Sequence, residues 1–87
     1  MDKFEIYFKG QKIGELKFIT DEEVKTDIDD VMLRERVDLI IEKIKRVGVE
    51  QSGEIVYKKP KGLTGKMLKI EILKQIELAG FELKKII

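Results

Sequence analysis

From Tyr57 to Lys69 the sequence reads Tyr-Lys-Lys-Pro-Lys-Gly-Leu-Thr-Gly-Lys-Met-Leu-Lys, and no Asp or Glu occurs between Glu54 and Glu71. Lysine ammonium groups on flexible stems are point charges suited to phosphate oxygens. Gly62 and Gly65 carry no Cβ, so their backbone N–H groups can approach a ligand closely. The segment then opens into a helical pattern, whose first N–H groups and positive dipole end favour an anion. Lys58, Lys59, Lys61, Gly62, Gly65, Lys66 and Lys69 therefore form a candidate phosphate-binding set. Its chemistry is sequence-independent contact with the sugar–phosphate backbone of RNA or DNA. Tyr57 is the aromatic placed to stack on a base.

Known phosphate loops do not fit this stretch. A Walker A loop would need Gly at the position of Pro60 and a hydroxyl at that of Met67. Gly62-Leu63-Thr64-Gly65 has the bare G-x-x-G spacing of a KH loop, but a strand-like segment precedes it where that fold has a helix. The plain alternative is a solvated loop, with Lys for solubility and Gly for turning.

Other chemistry finds little support. The chain has no Cys and no His, so disulfides, thiolate zinc sites and the usual neutral-pH base are out of reach. Ser52 has no His to activate it. Asp27, Asp29 and Asp30 lack the spread of ligands, central Gly and closing Glu of an EF-hand loop, and helix capping accounts for them. No catalytic residue, metal or cofactor is expected, and the chain is read as a non-enzymatic binding protein.

Eighty-seven residues with 43% hydrophobic content make one domain, residues 1–87, with a single thin core. The 18 basic and 17 acidic residues nearly cancel. They are unevenly placed: residues 1–30 carry net −4 and residues 58–87 net +5. Such a chain either folds one end onto the other or offers a basic face to a partner. The Lys/Glu/Ile-rich, Cys-free composition suits a thermophile protein. No apolar run reaches a membrane span, and Met1-Asp2-Lys3-Phe4-Glu5 has charges where a signal peptide needs an apolar stretch. A cytoplasmic location is the expectation.

The elements that must position these residues are read from periodicity. Asp30 to Val47 is the main helix, with Leu33, Val37, Ile40, Ile41, Ile44 and Val47 in one stripe and Gly48 as its stop. Phe4, Ile6 and Phe8 alternate in a strand, and Gly14, Leu16 and Phe18 in a second. A register pairing Phe8 with Gly14, Ile6 with Leu16 and Phe4 with Phe18 keeps carboxylates off the core face. It requires a three-residue loop or a bulge near Ile13, and it turns Ile13 and Ile19 outward. Thr20 to Asp30 reads as an acidic connector, with a Thr20–Glu23 capping box and a later cap at Thr26, Asp27 or Asp29. Val49 to Gly53 is a connection, Glu54 to Lys59 a strand, and Thr64 the cap of a second helix reaching Ala79, with Gly80 as C′. Phe81 to Ile87 is a final strand with Phe81, Leu83 and Ile87 inward. The order β-β-α-β-α-β predicts an α+β fold. It is a two-layer α/β sandwich, with an N-terminal hairpin and two helices on one face of a mixed four-stranded sheet.

The second helix is apolar nearly all round. Leu68, Ile72, Ile76 and Ala79 make one face; Leu63, Met67, Ile70 and Leu78 make another. The second face, with Val31, Met32 and Leu39 of the first helix, either packs internally or serves as an interface. The leading expectation for function is weak contact with nucleic-acid phosphates through the lysines. The alternative is an interaction or regulatory module that engages itself, as a homodimer, or another protein through the second helix.

Overall fold

The structure, a computed structural model, describes residues 1–45 and 63–87 with their side chains, and the backbone of the strands Val47–Gln51 and Glu54–Lys58. The chain begins with a hairpin, β1 (Asp2–Phe8) and β2 (Gln11–Phe18). Lys9 (φ 50°) and Gly10 (φ 80°) form its turn. Two successive left-handed residues are what a two-residue type I′ turn needs, and Phe8 pairs with Gln11 as a result. Ile13 is then an extra residue: Tyr7 pairs with Lys12, but Ile6 with Gly14. The bulge falls where the sequence places one. The expected pairs are displaced by two residues, however, to Phe4–Leu16 and Asp2–Phe18. A two-residue displacement keeps every side chain on its own face, so Phe4, Ile6, Leu16 and Phe18 are all buried as expected. Phe4 and Phe18 still meet edge to face, with centroids 6.0 Å apart. Ile19 is exposed, but Ile13 packs against the core instead of facing outward.

The acidic connector contains a strand, β3 (Val24–Ile28), antiparallel to β2. Thr20 Oγ1 does accept the N–H of Glu22 and of Glu23, at 3.3 and 3.0 Å. That hydroxyl turn feeds a strand, not a helix. The main helix, α1 (Val31–Lys45), is capped by Asp30, whose Oδ1 accepts the Leu33 N–H at 3.1 Å. Thr26, the earlier cap candidate, instead donates its hydroxyl to Asp38 of α1 at 2.7 Å. Val37 and Ile41 of α1 are buried, with Leu33, Ile40 and Ile44 packed beside them. Gly48 does not stop the helix. It lies in β4 (Val47–Gln51), which pairs antiparallel with β5 (Glu54–Lys58) as a separate two-stranded sheet. The second helix, α2 (Gly65–Leu78), ends at Ala79 with Gly80 at φ 101°, as expected. Ala79 is exposed. The last strand, β6 (Phe81–Lys85), pairs antiparallel with β1. Phe81 is buried and Leu83 half-buried, but Ile87 is 61% exposed rather than inward.

The fold is therefore α+β, with a four-stranded sheet ordered β3-β2-β1-β6 and two helices. Every pairing in that sheet is antiparallel, so the expected mixed sheet is corrected. Of the segment expected to be its third strand, Glu54 to Lys59, the described part Glu54–Lys58 lies instead in the small hairpin, and β3 takes its place. Phe4, Ile6, Leu16, Phe18, Ile28 and Phe81 of the sheet share one core cluster with Val37 and Ile41 of α1 and Leu68, Ile72 and Ile76 of α2.

The opposite face of the sheet is charged and arranged in rows. Lys3, Lys17 and Lys25 are cross-strand neighbours, as are Glu5, Glu15 and Asp27. Like charges directly opposite one another repel, and diagonal pairs offset this: Lys3–Glu15 at 3.3 Å and Lys12–Glu5 at 2.9 Å. The Lys12 hydrogen bond is the main reason that the Glu5 carboxyl lies below its ordinary 4.5, with the Tyr7 hydroxyl helping. The same bond raises Lys12 above 10.5. A lowered native carboxyl binds its proton less readily than the unfolded one, so its stabilisation is present above pH 4.5 and fades as pH falls through the native value. Lys12→Met should bring the Glu5 titration back toward 4.5, read by the side-chain carboxyl ¹³C shift, and flatten the acid limb of the stability curve.

Candidate functional site

α2 has a helical pattern but no acid in its first turn and no base in its last. Thr64 occupies the N-cap position in an extended conformation, φ −134° and ψ 160°, without making a side-chain cap. The carboxylate that the helix start calls for comes from across the fold. Glu22, in the turn between β2 and β3, accepts the Gly65 N–H at 2.7 Å. Gly65 is itself left-handed, φ 56°.

The candidate phosphate residues divide accordingly. Gly65 offers its N–H to Glu22. Lys69 turns back into the fold: its ammonium pairs with Asp2 and lies 5.4 Å from the centroid of the Phe18 ring, with the side chain only 16% exposed. Lys66 is exposed at the start of α2. The backbone of Lys58 ends β5, while its side chain, and all of Lys59, Lys61 and Gly62, lie outside the described residues, as does the side chain of Tyr57. Acids of the N-terminal part thus meet the C-terminal part at two points, one of the two arrangements that the charge gradient left open. Glu22 meets the start of α2, and Asp2 meets both Lys69 and Lys85, the latter at 3.8 Å. Beside Lys69 there is a depression of about 150 Å³, small against the roughly 300 Å³ at which ligand pockets begin. Its lysine already has a counter-ion.

Glu22 and Asp2 are the residues that sequence reasoning missed. The signal for Glu22 was available: a helix with no acid in its first turn and a chain with nine acids in its first thirty residues. Removing that carboxylate is expected to cost a normal helix cap. Glu22→Ala should lose about 0.5–2 kcal/mol, seen as a lower urea midpoint with an unchanged slope. Glu22→Gln, which keeps an acceptor, should lose less.

The second candidate surface is better defined. Leu63 is half-buried and packs against the core. Met67, Ile70 and Leu78 are 62%, 55% and 70% exposed. At about 100° per residue these three fall opposite Leu68, Ile72 and Ile76, which are buried. Lys74 stands among them in the stripe, and Glu71 at its margin accepts a hydrogen bond from Gln75 at 2.8 Å. Val31, Met32 and Leu39 of α1 are also exposed. Arg36 of α1 is exposed, with its guanidinium 5.8 and 5.9 Å from the Phe8 and Phe81 rings.

Among the described residues no polar or charged side chain is buried, and no cluster of three carboxylates is disposed to hold a metal. Among the described residues no helix is long and apolar enough to cross a membrane. Comparison with protein-family models, with curated proteins and with solved structures finds no match to this chain.

Proposed function

We propose that this chain is a non-enzymatic protein-interaction module whose contact surface is the outward face of α2. The two helices are taken as one layer over the β3-β2-β1-β6 sheet, which leaves the stripe of Met67, Ile70 and Leu78 on the outside of that layer. The observation that carries the reading is the exposure of these three large apolar side chains along one line, opposite the buried stripe. Scattered apolar residues are ordinary on a surface, whereas a line of them at helical spacing, here with Lys74 between Ile70 and Leu78, is the form of a helix-docking seam. Val31, Met32 and Leu39 of α1 extend the apolar content of the same layer.

The nucleic-acid reading is the second choice because of what Glu22 and Asp2 do. One occupies the Gly65 N–H and the other neutralises Lys69, leaving Lys58, Lys59, Lys61 and Lys66 to hold phosphate without that N–H or that ammonium.

Amide chemical shifts of the ¹⁵N-labelled chain separate the two readings. One titrant is a synthetic amphipathic helix bearing a Leu stripe flanked by Lys and Glu; the other is poly-uridine RNA. Docking predicts shifts confined to residues 63–79 with the peptide, little changed between about 50 and 500 mM salt. Phosphate binding depends steeply on salt. Shifts with RNA alone, vanishing in high salt, would overturn the docking reading in favour of the lysines.

A further inference from the structure

We propose that the partner of α2 is α2 of a second copy of this chain, docked antiparallel about a two-fold axis passing between Ile72 and Leu73. This rests on the docking reading above and names its occupant. The argument is the charge pattern in and beside the apolar stripe. Lys74 in the stripe and half-buried Glu71 at its margin are three residues apart, and Met67 and Leu78 lie outside them at equal distances, four residues on either side. A two-fold axis at that midpoint sets each copy's Glu71 against the other copy's Lys74, and each Met67 against the other Leu78. Ile70 then lies along the aliphatic stem of the facing Lys74. The seam from Met67 to Leu78 runs about 16 Å at 1.5 Å per residue.

Competing arrangements are worse on charge. A parallel in-register pair puts Glu71 opposite Glu71 and Lys74 opposite Lys74. An antiparallel pair shifted by two residues in its midpoint, between Ile70 and Glu71, sets Lys74 against Met67 with no carboxylate facing it. Isologous two-fold contacts require a self-complementary patch, and only the first of these arrangements makes this one so. Lys74 has no ion-pair partner among the described residues, while Glu71 already accepts a hydrogen bond from Gln75 through one of its two carboxylate oxygens. The net charge of +1 leaves little long-range repulsion between copies. One helix face lies at the small end of interfaces, so the association is weak and the charges select register more than they add affinity.

Sedimentation of the full chain to about 1 mM, at low salt, tests this with four variants: E71K, K74E, the double variant E71K/K74E, and L78D. All the changes are at side chains outside the core, and circular dichroism checks that each variant remains folded. The expected results are a concentration-dependent dimer in the unmodified chain and dissociation at least about tenfold weaker for E71K and for K74E alone. E71K/K74E should return to within about threefold of the unmodified chain, and L78D should lose the dimer. Mixing E71K with K74E should give a heterodimer tighter than either alone, because both cross-pairs are then opposite in sign. A dimer indifferent to these reversals, or a double variant that fails to recover, overturns the arrangement. A chain that stays monomeric at 1 mM while residues 63–79 still bind the synthetic helix overturns the second copy as partner and leaves the docking reading standing. Failure of both takes the docking reading with it.

Discussion

Gly14→Ala is expected to detach β3 from the sheet and to lower the melting temperature by more than 10 °C. Gly14 follows the bulge at Ile13 and faces Ile6 on one side and Ile28 on the other. A Cβ there would overlap the carbonyl oxygen of Asp27 and lie 2.9 Å from Ile28 Cα. The obstacle is backbone, which cannot rotate aside as a side-chain tip can. The edge strand must therefore move as a whole. It carries buried Ile28 and the Thr26–Asp38 hydrogen bond to α1. Overpacking typically costs about 1–3 kcal/mol, and a rigid obstacle places this site at the upper end. For a domain of this size each kcal/mol moves the midpoint by about 4–8 °C. Gly10, with φ 80° and open space around it, is the control. Gly10→Asn should be nearly neutral, since Asn tolerates the left-handed conformation. Amide exchange should show the Gly14→Ala damage concentrated in β3 and its β2 partner. Equal melting points for the two variants would mean that β2 and β3 do not approach so closely.

The same strand marks the limit of what the sequence discloses. Thr20 followed by Glu23 satisfies two N–H groups whether a helix or a strand comes next. The choice is made by pairing of Val24–Ile28 with Gly14–Phe18, a partner that local pattern does not specify. The alternation was present, with Val24, Thr26 and Ile28 turned inward and Lys25 and Asp27 outward, but the density of acids around it masked it. The hairpin shows the complementary case. Hydrophobic alternation settles which face is buried, because a one-residue slip inverts it. It says nothing between registers that differ by two, and the Lys9-Gly10 turn decides among those. Gly48 misled for a third reason: a glycine after a helical pattern reads as a stop, yet here it belongs to a strand. The boundaries of α2, punctuated by Thr64 and Gly80, were legible. That its first N–H wants a distant acid could be read from the acid-free first turn, but which of the nine early acids supplies it could not, because Glu22 is forty-three residues away.

Two isoleucines two positions apart in α2 should differ by several kcal/mol when each is cut to Ala. Ile72 is completely buried in the cluster with Leu68, Ile76 and the sheet. Ile70 is 55% exposed. Cutting a buried Ile to Ala removes its transfer energy and leaves a cavity, at about 2–5 kcal/mol. Total stability for a small domain is about 5–15 kcal/mol, so Ile72→Ala should remove a large fraction and leave a substantial unfolded population at moderate urea. Ile70→Ala in the monomer loses little contact and gains the better helix former, so it should fall within about 0.5 kcal/mol of the unmodified chain. Ile72 has its partners within the fold, whereas Ile70 has half its surface in water, and helix propensity does not account for either placement. Both measurements belong in dilute protein, where self-association does not contribute. Repeating the Ile70→Ala measurement at high protein concentration should then reveal an added loss, since a copy that binds only the folded state stabilises it by mass action. A comparable cost at both positions in dilute protein would place Ile70 inside the core and remove the exposed stripe on which the docking reading stands.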